Sequence, residues 1–175
     1  MPFGRRRPRT PCGRKVLDAH LARSRRRIAS AGLFDAGLVD RVQSELTIMR
    51  DAIDRVTPTP FLHDTTTRNV IVMPEGGFSG IVDVDDLCFG DPRYPATLTM
   101  AVLMAQGGPV AYVKAWLLYA EQKDDPVFWL YVSAFLLDLM PEHGQTFNGN
   151  ERPSTPGARR SLSLAFEASI ARVRP

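Results

Sequence analysis

Three side chains with the chemistry of a metal-assisted group-transfer site lie close together in the sequence. Asp64 and Asn69 are five positions apart, and Asp83 follows after a further fourteen positions. A carboxylate can accept the proton of an attacking hydroxyl, and carboxylate and amide oxygens are hard ligands that suit Mg²⁺. Phosphoryl transfer depends mainly on positioning and charge neutralisation, so these three side chains could supply its base and its metal ligands.

Two short apolar segments predict the strands that would position these residues. Residues 69–73 and 80–84 are rich in Val and Ile, and residues 74–77, Pro-Glu-Gly-Gly, are typical of a turn. A hairpin of this kind leaves polar side chains at the strand ends, where they can converge. A purely structural interpretation, with Asp64 and Asn69 as turn or cap residues, explains each residue alone but not their joint order.

Helical periodicity dominates the rest of the chain. The predicted helices cover residues 15–30, 34–56, 94–106, 109–122, 126–140 and 157–173. Within the second of them, Leu38, Val42 and Leu46 recur at spacings of four and form an apolar stripe. Helices followed by a small β unit and more helices predict an α+β fold that is mostly helical.

Basic residues are concentrated at the N-terminus. The chain has 22 Lys and Arg against 19 Asp and Glu, yet residues 1–27 contain ten of the basic residues and one acidic residue. The remainder therefore has 12 basic and 18 acidic residues, a net charge of −6. Residues 1–14 combine Arg with Pro and Gly, which predicts a disordered basic arm. No recognition motif or interleaved aromatic residue accompanies the arginines, so we expect no nucleic-acid partner.

Cysteine usage and hydropathy indicate the cellular setting. Cys12 and Cys88 have no metal-binding or disulfide spacing. No apolar run reaches the ~18 residues that a membrane span requires. We therefore expect a reducing, cytoplasmic environment and no membrane association.

The order of the site residues resembles the catalytic and metal-binding loops of aminoglycoside phosphotransferases and their choline-kinase-like relatives. The pattern of that family is roughly H-G-D-x-x-x-x-N, a hairpin, I-D-x-x-D and G-D-P. In this chain Asp64, Asn69 and Asp83 stand at the matching positions, and residues 90–92 read Gly-Asp-Pro. His63 precedes Asp64 directly, without the family's intervening Gly, and we expect it to pack the loop rather than to act in catalysis.

The resemblance implies a protein-kinase-like C-terminal lobe over residues 15–175. It further implies an ATP- and Mg²⁺-dependent phosphotransferase that acts on a hydroxyl of a small molecule. Asp64 would be the catalytic base, and Asn69 and Asp83 would bind Mg²⁺ and, through it, the ATP co-substrate.

The N-terminal lobe that covers ATP in such enzymes has no counterpart before Asp64. No Gly-rich loop occurs there, and Lys15 is the only lysine that precedes the loop. We therefore expect weak activity or none, with uncovered apolar surface that could form a homodimer. The chain could be a truncated or mis-started reading frame, a degenerate remnant, or a lobe completed by a partner. The alternative to an enzyme is a non-catalytic helical remnant that binds a small molecule or a protein.

Overall fold

Seven α-helices and four short β-strands make up the part of the chain that the computed structural model describes, residues 13–63, 69–84, 87–146 and 153–174. The helices are α1 (Gly13–Ala31), α2 (Leu38–Ile48), α3 (Arg50–Asp54), α4 (Tyr94–Gln106), α5 (Ala111–Tyr119), α6 (Pro126–Leu139) and α7 (Pro156–Ile170). The strands are β1 (Thr59–Leu62), β2 (Val70–Val72), β3 (Phe78–Ile81) and β4 (Leu87–Gly90). The prediction of a mostly helical α+β fold is confirmed.

Helix α6 is the centre of the hydrophobic core. Every residue from Val127 to Leu137 is buried, and α1, α2, α4 and α7 pack around this helix. A helix that is apolar on all sides is expected at the centre of a domain rather than at its surface. Ser133, at the centre of this helix, is buried. Its hydroxyl bonds to the Trp129 carbonyl and to the Ser169 hydroxyl, each at 2.8 Å.

Local sequence signals fix the starts of α6 and α7. The Asp125 carboxylate accepts a hydrogen bond from the Phe128 amide at 3.0 Å, and the Thr155 hydroxyl accepts one from the Ala158 amide at 3.1 Å. A proline follows each of these capping residues at the first helical position, where its missing N–H costs nothing. The predicted starts of both helices therefore agree with the structure to within one residue.

The predicted single helix over residues 34–56 is wrong. Helix α2 ends at Ile48 and α3 begins at Arg50, because Met49 leaves the helical conformation with φ −91° and ψ 9°. The apolar spacing continues across this break, and Ile53 is buried with the rest of the stripe. Hydrophobic periodicity alone therefore gives no sign of the break.

The predicted hairpin is present, with a shifted second strand. Strands β2 and β3 pair antiparallel, with Val70 opposite Ile81. The second strand was predicted at residues 80–84, but it runs from Phe78 to Ile81, so residues 82–84 lie beyond the paired region. In the turn, the Met73 amide donates to the Gly77 carbonyl at 2.7 Å.

A second two-stranded ribbon was not predicted. Strands β1 and β4 pair antiparallel, with Thr59 opposite Gly90 and Leu62 opposite Leu87. Each strand has only four residues, and Pro60 argues against a strand except at a sheet edge. In the sequence, the β2–β3 hairpin therefore lies between the two strands of the β1–β4 ribbon, which pair directly with each other.

The first helix starts slightly earlier than predicted. Helix α1 begins at Gly13, two residues before its predicted start, and residues 1–12 of the predicted basic arm lie outside the described residues.

Among the described residues, the helices are all too short or too polar to cross a membrane.

Candidate functional site

Two segments connect the β1–β4 ribbon to the β2–β3 hairpin. Residues 63–69, the first loop, join β1 to β2, and residues 82–86, the second loop, join β3 to β4. The first loop follows Leu62 and the second precedes Leu87, and these two residues are paired. The first loop precedes Val70 and the second follows Ile81, which are also paired. Because paired antiparallel residues have Cα atoms about 4.5–5.5 Å apart, the described residues that flank the two loops lie next to each other at both ends.

Asn69 and Asp83 lie at the same end of the β2–β3 hairpin. The Val82 amide donates a hydrogen bond to the Asn69 carbonyl at 2.9 Å, which extends the ladder by one pair. Asp83 follows Val82 directly, so its Cα lies within about 9 Å of the Asn69 Cα. Asn69 is half-buried and Asp83 is exposed. The structure thus places the Cα atoms of two of the three predicted site residues at the same end of the hairpin.

The backbone of Asp83 adopts a left-handed conformation, with φ 58°. Only Glu121 shares this feature among the described non-glycine residues. Asp tolerates the left-handed region better than most residues, but the conformation still costs about 1–2 kcal/mol. The bend lies two residues after the end of β3 at Ile81.

The third residue of the predicted site, Asp64, lies outside the described residues, in the gap 64–68. Among the described residues no group of three or more His, Cys, Asp or Glu side chains could hold a metal ion. Asn69 and Asp83 are therefore the only described members of the predicted Mg²⁺ site.

His63, the last described residue before Asp64, packs against aromatic side chains. Its ring centroid lies 5.8 Å from that of Tyr94 and 6.3 Å from that of Phe135, and these two rings are 4.7 Å apart. Phe61 of β1 also contacts Tyr94, at 5.9 Å. The first loop is therefore anchored at its start to helices α4 and α6, as expected for a packing role of His63.

Tyr94 connects this aromatic cluster to a buried histidine. The Tyr94 hydroxyl lies 3.5 Å from Nδ1 of His20, and Nε2 of His20 lies 3.2 Å from the Ala134 carbonyl, so a hydrogen on Nε2 satisfies both contacts. Burial lowers the pKa of His20, against the opposing effect of the Asp138 charge. Burial raises the pKa of Tyr94, which keeps its hydroxyl protonated.

The Asp138 carboxylate binds two of the basic side chains of helix α1. Its carboxylate accepts hydrogen bonds from Arg23 at 2.7 Å, Ser24 at 2.9 Å and Arg27 at 3.2 Å. Arg27 also donates to Glu142 at 2.8 Å. Part of the N-terminal positive charge is thus used to attach α1 to the end of α6, a contact that the sequence did not reveal.

A buried ion pair fixes the chain where β4 passes into α4. Arg93 donates to the Asp91 carboxylate through Nε at 3.0 Å and Nη2 at 2.7 Å, and it contacts Asp125 at 2.7 Å. Burial alone would lower the pKa of Arg93, but its bonds to Asp91 and Asp125 raise it overall. Burial and then the nearby charge of Asp91 raise the pKa of Tyr131. Asp91 of the Gly-Asp-Pro motif therefore ties the strand that follows the second loop to the start of α6.

Comparisons of the chain with protein-family models, with curated proteins and with solved structures found no match.

Proposed function

We propose that this chain is an ATP- and Mg²⁺-dependent phosphotransferase lobe that acts on a hydroxyl of a small molecule. The observation that carries the proposal is the position of Asn69 and Asp83 at one end of the β2–β3 hairpin, joined through the Val82–Asn69 hydrogen bond of 2.9 Å. With their Cα atoms within about 9 Å of each other, the two residues are close enough for their side chains to be turned toward one Mg²⁺, whose ligands lie at about 2.1 Å.

Asp64 completes the proposed site by its place in the sequence, directly after His63 and five residues before Asn69. In the proposed reaction Asp64 accepts the proton of the attacking hydroxyl, while Mg²⁺ held by Asn69 and Asp83 neutralises charge on the phosphates.

Contacts of described residues next to the two loops also favour the proposal. His63 is packed on Tyr94 at the start of the first loop, and Asp91 is bonded to Arg93 just after β4. Fixed neighbours of this kind lower the cost of positioning the reactants. Enzymes of this kind use a lysine to contact the phosphates of ATP. Lys15, the one lysine before the first loop, lies exposed on α1. We therefore expect weak activity unless another cation contacts the phosphates.

Calorimetry with Mg-ATP tests the proposal. We expect measurable binding that Asp83→Asn weakens at least tenfold and that Glu75→Gln, a control at the opposite end of the same hairpin, leaves unchanged. Slow consumption of ATP in the presence of hydroxyl compounds should disappear in Asp64→Asn. Absence of Mg-ATP binding at about 10 mM nucleotide, or equal binding by Asp83→Asn, would contradict the proposal.

A second candidate is a non-catalytic helical module. It is favoured by the helical core, in which α1, α2, α4 and α7 make the main contacts with α6. A core of this kind could persist after the loss of a catalytic role. Under this alternative, substitutions at Asn69 and Asp83 change neither ligand binding nor stability.

A further inference from the structure

Helix α5 has an apolar side that the described part of the chain leaves exposed. Val113 and Leu117 are buried on its inner side, and among the described elements α4 makes the main contacts with this helix. At 3.6 residues per turn, the opposite side is an arc of about 120°. The outer face of α5 is defined here by five residues in this arc, all of them exposed: Ala111, Tyr112, Ala115, Leu118 and Tyr119. A helix that is apolar on all sides is expected to be covered on all sides.

The outer face of α5 carries no charge, because its five residues are Ala, Leu and Tyr. Lys114 and Trp116 flank the face, each about 100° around the helix from Ala115 at its centre. A lysine in this position can keep its ammonium group in water while its stem lies along the apolar surface. The face therefore has no charge pattern that would select a partner of opposite charge.

We propose that the outer face of α5 is a self-association site and that its occupant is the same face of a second copy of this chain, with the two helices antiparallel. A two-fold axis at Ala115 places this small residue against the partner's Ala115. Small side chains at the crossing point allow two helices to approach closely. The proposal does not rest on the proposed enzymatic activity.

The antiparallel arrangement matches the side chains of the face to one another. Leu118 and Ala111 lie on the same side of Ala115, three residues after it and four residues before it, so Leu118 meets the partner's Ala111. On the other side of the face, Tyr119 meets the partner's Tyr112 as an aromatic pair. Both ends of the helix pair then hold one Leu–Ala pair and one Tyr–Tyr pair, which keeps the helices evenly spaced. A parallel pair would crowd the large side chains of both copies at one end.

The exposed area fits a weak dimer. Leu118 is 81% exposed, Tyr119 is 93% exposed and Tyr112 is 44% exposed. With about 200 Å² for a fully exposed tyrosine and about 120 Å² for a leucine, these side chains offer roughly 370 Å² per copy. Two copies would bury roughly 740 Å² of these side chains, below the roughly 1,200 Å² at which standard complexes begin. We therefore expect a dimer that dissociates at about 100 µM.

Analytical ultracentrifugation of the full chain, without nucleotide, tests this inference. Between about 5 and 500 µM, the average mass should rise from 19.4 kDa toward twice that value. Leu118→Gln should weaken the dimer about tenfold, as expected for an apolar anchor. Leu164→Gln is the matched control, because Leu164 is also an exposed leucine in a helix, α7, and its replacement should leave the dimer unchanged.

Ala115→Leu distinguishes close helix pairing from general hydrophobic association. A larger side chain at the centre of the face pushes the two helices apart and should weaken the dimer about tenfold. The same substitution adds apolar surface, so it would strengthen any association that depends on area alone. Leucine is nearly as good a helix former as alanine, so α5 should remain intact.

Several results would overturn the inference. They are a monomer at every concentration, open-ended aggregates in place of a dimer, and a dimer weakened as much by Leu164→Gln as by Leu118→Gln. A dimer that Ala115→Leu leaves unchanged or strengthens would do the same. Circular dichroism of each variant provides the folding control, because these side chains are exposed and their replacement should leave the helical signal intact. Failure of Mg-ATP binding leaves the inference untouched, since the mass measurement contains no nucleotide.

Discussion

Removal of the Arg93 side chain should destabilise the fold strongly. The side chains of Asp91 and Arg93 are 4% and 13% exposed, and Arg93 donates two hydrogen bonds to Asp91 as well as one contact to Asp125. Arg93→Ala leaves the Asp91 carboxylate buried without its cation. Breaking a buried pair in this way costs about 3–5 kcal/mol, a large part of the 5–15 kcal/mol typical of a whole domain.

Urea unfolding followed by circular dichroism measures this loss, with the slope of the transition as a check on two-state behaviour. The melting temperature should fall by about 6–20 °C. Arg41→Ala is the matched control, because Arg41 forms an exposed ion pair with Glu167 that should contribute about 0.2–1 kcal/mol. Equal losses for the two variants, or a loss below about 1 kcal/mol for Arg93→Ala, would refute the reasoning.

Two further outcomes follow from the buried histidine and from the glycines. Burial lowers the pKa of His20 from its ordinary value of 6.5, so the unfolded chain takes up the proton first and the free energy of unfolding should fall as the pH drops below about 6.5. In His20→Gln, urea titrations at pH 7.5 and 5.0 should show a smaller difference, whereas an undiminished one would point to other groups such as His143, whose pKa burial also lowers. Gly144→Ala should cost more stability than Gly76→Ala, since both glycines have positive φ but only at Gly144 would a Cβ meet Ser154, at 2.5 Å. Equal thermal shifts for the two glycine variants would contradict the predicted clash.

The elements that could be predicted from the sequence are those with strong local signals. Helix α6 combines a long apolar run with Asp125 and Pro126 at its start, so its bounds follow almost entirely from local rules. The β2–β3 hairpin follows from β-branched residues on both sides of a Pro-Glu-Gly-Gly turn. Asn69 and Asp83 could be placed at one end of this hairpin for the same reason.

Contacts between distant segments could not be predicted. The β1–β4 ribbon joins four-residue strands separated by the whole hairpin, and neither strand has a distinctive pattern. The partners of Arg93 include Asp91, two residues away, and Asp125, which comes near only through the packing of α4 and α6. The pairing of Arg23 with Asp138 likewise depends on how α1 crosses α6. Periodicity reports which face of an element is buried but not which side chain it meets.

The most direct test of the account is the line broadening that Mn²⁺, a hard-ligand substitute for Mg²⁺, produces in the amide signals of the full chain. Signals of Asp64, Asn69 and Asp83 should broaden first, while those of Glu75 and Gly76, roughly 20 Å away at the turn of the hairpin, should persist. Asp83→Asn should abolish the selective broadening. Equal broadening at Glu75 and Asp83, or selective broadening that survives Asp83→Asn, would show that the two loops do not form a metal site.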